Sequence, residues 1–377
     1  MIKQKEYFGV GIIEKLPEIL DLEKPKKIFL VTGKNSYIIS GAKDKLSSMF
    51  LNYKLVHFTD FSPDPTISDL EKGIFSFDDD CDLVIAVGGG SALDIAKSIN
   101  VLSQQEFPPT DYLNKIRQIK NKGKPLVAIP TTSGSGSEAT GFSVITSGHE
   151  KISLHHKFLI PGYSLIDPLL TMTLPQKITA STGIDALSQA MESYWSINSN
   201  YNSKKFSKKA ITLCFQNLED AVKKNTIGSR IAMSRAANLS GKAINITLTT
   251  APHALSYYLT INHRVPHGHA VAMTLGSVLG YNAGTTQEEC NDERGFTYVR
   301  QTILDLCKFC GCPTPKKLKQ KISKLMDEIG LETRLSGLGL KEEDIYKMAE
   351  SPNPRRLSNN PRKFTEIVLR KMLKDLF

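Results

Sequence analysis

Five apolar residues, Leu83-Val84-Ile85-Ala86-Val87, run straight into Gly88-Gly89-Gly90-Ser91 and then into the helix-forming stretch Ala92-Leu93-Asp94-Ile95-Ala96-Lys97. A strand that is apolar at every position has no face to offer water, so it must be covered on both sides. Lys27-Ile28-Phe29-Leu30-Val31-Thr32, Leu55-Val56-His57-Phe58 and Leu126-Val127-Ala128-Ile129-Pro130 read the same way. The first leads through Gly33-Lys34-Asn35-Ser36 into a helical stretch, and the second through Asp64-Pro65-Thr66 into a helix from near Ile67. Apolar strands alternating with helices predict a parallel α/β sheet. After Ile166-Asp167-Pro168 the chain turns to one long amphipathic helix after another, seen in 185–195, 206–223 and 230–248. The expected organisation is an α/β domain over 1–168 and an all-α domain over 169–377.

The glycine turn carries a chemical implication. A strand, a glycine turn and a helix N-terminus together present free backbone N–H groups where the helix dipole favours negative charge, which is a cradle for phosphate. Without a Cβ the backbone can come close to that phosphate. A purely structural turn of three glycines stays open, since this is neither a Walker A loop nor a strict GxGxxG. A second loop, Pro130-Thr131-Thr132-Ser133-Gly134-Ser135-Gly136-Ser137-Glu138, follows the next apolar strand with five hydroxyls and two glycines. It could simply cap a helix at Ser137. Two such loops at neighbouring carboxyl ends, where open α/β sheets bind ligands, point to a dinucleotide.

Composition narrows the partners. Lys and Arg total 48 against 38 Asp and Glu, a formal net charge of +10. A basic total invites nucleic acid. The lysines nevertheless cluster locally, at Lys204-Lys205 with Lys208-Lys209 and across Lys316-Lys317, Lys319, Lys321 and Lys324, where helical spacing implies solvated faces. No nucleic-acid partner is expected, and a positive field would also steer a small anion inward. No apolar run approaches the roughly eighteen residues of a membrane span, and Met1-Ile2-Lys3-Gln4-Lys5-Glu6 has no apolar secretory core, so a cytoplasmic location is expected. Six cysteines do not make a disulfide framework. Cys307-Lys308-Phe309-Cys310-Gly311-Cys312 looks like a redox or zinc CxxC, but no second pair completes it, and Gly311 and Pro313 mark the end of a helix.

In the helical half, Asp185 and Gln189 stand at i and i+4 on one helix face, and His253 and His267 follow far downstream. Two neutral imidazoles and a carboxylate suit Zn²⁺ or Fe²⁺ and leave coordination positions open. Spacing alone favours a structural role, since a lone helix Asp and two distant His are usually structural.

Gly88-Gly89-Gly90-Ser91-x-x-Asp94, Pro130-Thr131-Thr132, Thr182-Gly183-x-Asp185-Ala186-Leu187, and His253 with Pro266-His267-Gly268 together resemble the iron-containing (group III) alcohol dehydrogenases. The likeness runs from Tyr7-Phe8-Gly9 to Asn359-Asn360-Pro361-Arg362. It implies the dehydroquinate synthase-like fold: a dinucleotide-binding α/β domain with a parallel sheet, an all-α metal domain, and hydride transfer in the cleft between them. Asp185, His253 and His267 fall on metal-ligand positions of that family, and Gln189 falls where most members place a fourth ligand, histidine. An amide oxygen is the poorer ligand for a borderline metal. Tyr257 replaces a further histidine common four residues after the first, which makes its phenol a candidate proton relay or a pocket-lining ring. Gly88, Gly89, Gly90, Ser91, Thr131, Thr132, Ser135 and Lys151 fall on dinucleotide-contacting positions, while Asp94 matches the pattern as a contact or as a loop anchor. NAD-specific members carry Asp where this chain has Gly33. Gly33 followed by Lys34, Asn35 and Ser36 would accommodate a 2′-phosphate, favouring NADPH or use of both NADPH and NADH.

Residues 183–196 and 249–257 resemble one subgroup in particular, the phosphonoacetaldehyde reductases of phosphonate metabolism, which make 2-hydroxyethylphosphonate. The resemblance implies a small anionic aldehyde as substrate, for which Lys242, Arg264, Arg355 and Arg356 are available cations. Sulfoacetaldehyde or an uncharged short aldehyde is the alternative substrate. A dehydroquinate-synthase-like lyase and a basic binding protein without catalysis are the alternatives of other classes. A homodimer is left open.

Overall fold

The computed structural model describes residues 4–148, 150–352 and 354–377; Met1–Lys3, His149, Asn353 and the side chain of Arg355 lie outside it. The chain divides into two compact units, Met1–Leu174 with Thr226–Ser234, and Pro175–Asn225 with Arg235–Phe377.

The first unit is built on strands β1 (Lys5–Phe8), β2 (Lys27–Thr32), β3 (Lys54–Phe58), β4 (Leu83–Gly88), β5 (Leu126–Pro130), β6 (Phe142–Ser147), β7 (Glu150–His155) and β8 (Tyr163–Ile166). Its helices are α1 (Leu16–Glu23), α2 (Ser36–Ile39), α3 (Ala42–Ser47), α4 (Ile67–Ser76), α5 (Gly90–Leu102) and α6 (Pro109–Leu113). Six strands form one parallel sheet in the order β1-β8-β5-β4-β2-β3, and β6 and β7 make a separate antiparallel hairpin. Alternate residues of β2 and β4 enter two different cores. Phe29, Val31, Val84 and Ala86 pack on one side, and Ile28, Leu30, Leu83, Ile85 and Val87 on the other. Every residue of β4 is buried, as its unbroken apolarity requires. Truncating Phe29, Ile28, Leu30, Leu83 or Ile85 to alanine would cost about 2–5 kcal/mol.

Four strands escape the sequence reading for physical reasons. β1 and β8 are only four residues each and pair with one another at one side of the sheet, so neither shows a period. The β6–β7 hairpin is half-buried and polar along much of its length. The sheet's order also fixes where a ligand would go. From β2 the chain adds β3 on one side and β4 on the other, so the order reverses at β2 and β4. Their carboxyl ends form the crevice where such sheets bind ligands.

The second unit is helical: α7 (Gln176–Trp195), α8 (Tyr201–Lys223), α9 (Ile227–Thr247, its start counted in the first unit), α10 (Ala251–His263), α11 (His267–Ala283), α12 (Phe296–Phe309), α13 (Pro315–Glu328), α14 (Glu342–Glu350), α15 (Pro354–Leu357) and α16 (Glu366–Lys374). Long α7 packs against α8 and α11, and α10 packs on α11. Most of the clustered lysines are exposed, as solvated faces require, and two are half-buried. Lys204 of α8 donates to Tyr298 Oη (2.8 Å) and Thr302 Oγ1 (3.0 Å) on α12, and Lys319 of α13 donates to Ser277 Oγ (3.0 Å) on α11. Cys307, Cys310 and Cys312 are buried free thiols at the end of α12, where burial pushes Cys307 up to about 11 and Cys310 to about 12. None of the described helices is long and apolar enough to cross a membrane.

Candidate functional site

In the first unit three loops meet at the carboxyl ends of β2, β4 and β5. A Cβ on Gly88 would stand 2.6 Å from Ala92 Cβ and 3.6 Å from the Gly33 nitrogen. One on Gly89 would touch Thr132 Cγ2 at 3.3 Å, and one on Gly90 would lie 2.8 Å from Ser135 Oγ. The glycine turn is therefore packed between the Gly33–Ser36 loop and the hydroxyl loop, most tightly at Gly88, where a Cβ has no room beside Ala92. α5 begins at Gly90 with Gly89 extended before it, so its first N–H groups have no carbonyl within the helix and point outward as anion donors. Thr131 Oγ1 is buried without a hydrogen-bond partner. Lys34 and Asn35 are exposed, and Lys34 Nζ is 3.4 Å from Asp60.

Four expected cofactor residues have other bonds. Asp94 Oδ1 accepts from Ser137 Oγ (2.5 Å), Oδ2 accepts from the Val144 N–H (3.0 Å), and its carbonyl accepts from Ser143 Oγ (2.8 Å). Its carboxylate anchors the hydroxyl loop and β6, because both oxygens are already bonded. The Ser91 hydroxyl donates to the Pro63 carbonyl, leaving its backbone for a ligand. Lys151 of β7 pairs with Asp64 at 2.6 Å. Ser135 Oγ accepts from the Ser137 N–H at 3.3 Å. Lys97, missed by the sequence reading, is fully buried behind the hydroxyl loop and donates to Ser137 Oγ (2.6 Å), Thr140 Oγ1 (3.1 Å) and the Phe142 carbonyl (2.9 Å).

In the second unit Asp185 of α7, His253 in the first turn of α10 and His267 at the start of α11 converge. One donor atom from each lies within 4.8 Å of the others. Gly268 makes this possible: a Cβ there would stand 1.9 Å from the Ser181 carbonyl and 2.6 Å from Asp185 Cβ, so α11 could not start so close to α7. His253 Nε2 is 3.4 Å from Asp185 Oδ1. That oxygen is buried and receives no hydrogen bond. An orphaned buried carboxylate oxygen is costly alone but is what a cation would satisfy. Donors around one tetrahedral ion at about 2.0–2.1 Å stand roughly 3.4 Å apart, so a divalent metal fits these residues.

Glu192, one further turn along the same face of α7, was not singled out from the sequence, although its i+7 spacing from Asp185 is the signal. It is wholly buried, and Oε1 bonds His253 Nδ1. Oε2 accepts from the Thr250 N–H (2.6 Å) and Thr250 Oγ1 (3.0 Å), fixing the start of α10. A carboxylate on Nδ1 turns the Nε2 lone pair toward a metal. Burial works against charge on His253, but the Glu192 and Asp185 carboxylates outweigh it and push the ring up to about 10. Burial would likewise raise Asp185, while His253 and His267 beside it hold its carboxyl below the usual range.

Gln189 departs from the ligand expectation. Its Nε2 donates to Asp185 Oδ2 (3.0 Å), and its Oε1 accepts from Ser240 Oγ (3.1 Å) on α9. Beside a carboxylate the amide presents its nitrogen, so Gln189 orients Asp185 and its oxygen is occupied elsewhere. Tyr257, one turn after His253, lies nearly parallel to the His267 ring (6.2 Å between centroids, 11°), and its oxygen accepts from Arg356 Nη1.

Residues 4–168 match the model of the iron-containing alcohol dehydrogenase, and residues 179–377 match that of the Fe-containing alcohol dehydrogenase family, C-terminal. The chain belongs to the iron-containing alcohol dehydrogenase family. It is 31% identical to long-chain-alcohol dehydrogenase 1 of Geobacillus thermodenitrificans, over 98% of this chain and 94% of that one. It is 32% identical to the phosphonoacetaldehyde reductase of Streptomyces viridochromogenes, over 78% and 75%. The structure of sulfoacetaldehyde reductase from Bifidobacterium kashiwanohense in complex with NAD⁺ is similar with a TM-score of 0.87 and 30% identity, covering 99% of this chain and 96% of that one. The protein is accordingly an alcohol dehydrogenase or aldehyde reductase of this iron-containing family, dependent on NAD(P)H and a divalent metal.

Proposed function

We propose that this enzyme reduces a short aldehyde with an anionic tail to the primary alcohol, phosphonoacetaldehyde to 2-hydroxyethylphosphonate first, with NADPH as the favoured reductant. The observation that carries the reading is the convergence of buried Asp185 and His253 with half-buried His267 around a carboxylate oxygen with no hydrogen bond. These three residues would hold the metal. Bound there, a divalent metal supplies Lewis-acid polarisation of the carbonyl oxygen, and the nicotinamide supplies the hydride. Gln189 and Glu192 hold Asp185 and His253 in place. Gly88, Gly89, Gly90, Ser91, Thr131, Thr132 and Ser135 bind the cofactor's phosphates through backbone N–H groups and hydroxyls, with Lys151 at the edge of the site. Gly33, Lys34, Asn35 and Ser36 receive the adenosine end. The Tyr257 hydroxyl, one helical turn after His253, would pass a proton to the product oxygen.

The anionic substrate is supported by the likeness to enzymes named for phosphonoacetaldehyde and sulfoacetaldehyde. The NAD⁺ complex of the latter supports a nicotinamide cofactor. A spectrophotometric panel of phosphonoacetaldehyde, sulfoacetaldehyde, lactaldehyde and butanal, with each cofactor and added Fe²⁺ or Zn²⁺, tests the reading. Asp185→Ala is expected to abolish turnover and metal content together. Full activity in that variant would remove the metal assignment, and no NAD(P)H oxidation with any aldehyde would remove the function.

A further inference from the structure

We infer that Arg356, held by Tyr257, receives the substrate's charged tail and sets the preference for aldehydes ending in a tetrahedral oxyanion. The inference rests on the aldehyde-reductase reading and names the residue that would give it its substrate class. α10 presents His253 and Tyr257 one turn apart, on the same face. The Tyr257 ring stacks parallel to that of His267. The Arg356 guanidinium carbon stands 4.6 Å from the centroid of the same ring, while its Nη1 donates to the phenolic oxygen. A guanidinium is thus fixed one aromatic ring away from a candidate metal ligand. Its planar fork matches the paired oxygens of a phosphonate or sulfonate better than an ammonium would.

The placement is braced. The Arg356 carbonyl accepts from the Asn359 N–H at 3.4 Å. Asn359 is buried and its Nδ2 donates to the Thr247 (2.9 Å) and Thr249 (2.7 Å) carbonyls just before α10. Its Oδ1 accepts from Ser196 Oγ (3.0 Å) and Asn198 Nδ2 (2.8 Å) beyond the end of α7. The arginine's backbone is therefore tied to the helices that carry Asp185 and His253, which lowers the cost of ordering it around a ligand. Among the other cations available from the sequence, Arg264 is exposed at the C-terminal cap of α10.

The test compares wild type, Arg356→Met, Arg356→Lys and Tyr257→Phe, each assayed for metal content. kcat/KM is measured for phosphonoacetaldehyde, sulfoacetaldehyde and butanal, and phosphonoacetate binding is measured by calorimetry. Arg356→Met is expected to lower the ratio of anionic to uncharged kcat/KM by about tenfold to hundredfold, the scale of a charge-assisted hydrogen bond, chiefly through KM. Phosphonoacetate binding should weaken in parallel. Arg356→Lys should recover part of the ratio, and Tyr257→Phe should lose part of it. An unchanged ratio in Arg356→Met, or equal losses on charged and uncharged aldehydes with metal retained, overturns the inference. So does a wild-type enzyme that reduces butanal but not the anionic aldehydes, a result that leaves the reductase reading standing. If no aldehyde is turned over yet Arg356→Met still weakens phosphonoacetate binding, the anion site stands and the reductase reading falls.

Discussion

Wholly buried and spent on hydrogen bonds, Glu192 governs the candidate metal site through His253. Glu192→Gln keeps the shape and an acceptor for Thr250 but removes the charge that orients the imidazole. It is expected to weaken Zn²⁺ binding about tenfold to hundredfold, measured by chelator competition; an unchanged affinity would reduce Glu192 to a cap on α10. Gly33 tests the other cofactor. A Cβ there would meet Ser36 Oγ at 2.4 Å, the end of a short side chain that can turn away, so Gly33→Asp should fold. Its carboxylate would repel a 2′-phosphate and attract ribose hydroxyls, so the NADPH/NADH ratio of kcat/KM should fall; a constant ratio would refute the reading of that loop. These residues differ in how legible they are. Glu192 shares a helix face with Asp185, which the sequence displays, but its partners on α10 come from a distant segment. The direction of the Gln189 amide depends on Ser240, 51 residues away, and no local pattern encodes it.

Elements are legible where burial is uniform or a cap is local. β4 and β5 show in the sequence because both faces are dry, whereas β1 and β8 are four residues each and acquire their strand character from distant partners, β1 from β8 and β8 from β1 and β5. α4 has a local start signal in Thr66 and Asp69, which form a reciprocal capping box. Burial alone would raise the Asp69 carboxyl, but bonds from the Thr66 N–H (2.9 Å), Ser62 Oγ (2.8 Å) and Ser62 N–H (3.2 Å) hold it below its ordinary value. The folded value lies below the unfolded one, so this contribution is complete above the unfolded pKa and lost as pH falls through the folded one. Asp69→Asn should cost about 1 kcal/mol at neutral pH. The gap in urea midpoint between wild type and variant should hold from about pH 7 to 5 and narrow below about 3.8. A gap that widens in acid would show that the charge on Asp69 opposes folding.

At the scale of the whole molecule, the +10 charge is partly spent within the helical unit, where Lys204 and Lys319 tie helices together, so it is no measure of an outer basic patch. Each unit carries its own candidate site: the nucleotide loops fall in the first, and Asp185, His253 and His267 in the second. Each ligand should therefore stabilise through its own contacts, and the two effects should separate genetically. A ligand at about a hundred times its Kd adds about 2.7 kcal/mol, and each kcal/mol raises Tm by roughly 2–4 °C in units of this size. Scanning calorimetry of the metal-stripped enzyme should show an upward shift with Zn²⁺ and another with NADPH. Asp185→Ala should lose the first and keep the second. Gly90→Val, whose side chain would enter the space held by Ser135 2.8 Å from the Gly90 Cβ position, should lose the second and keep the first. If Asp185→Ala also abolished the NADPH shift, the nucleotide site would depend on the metal, and the two units could not be read as independent binding bodies.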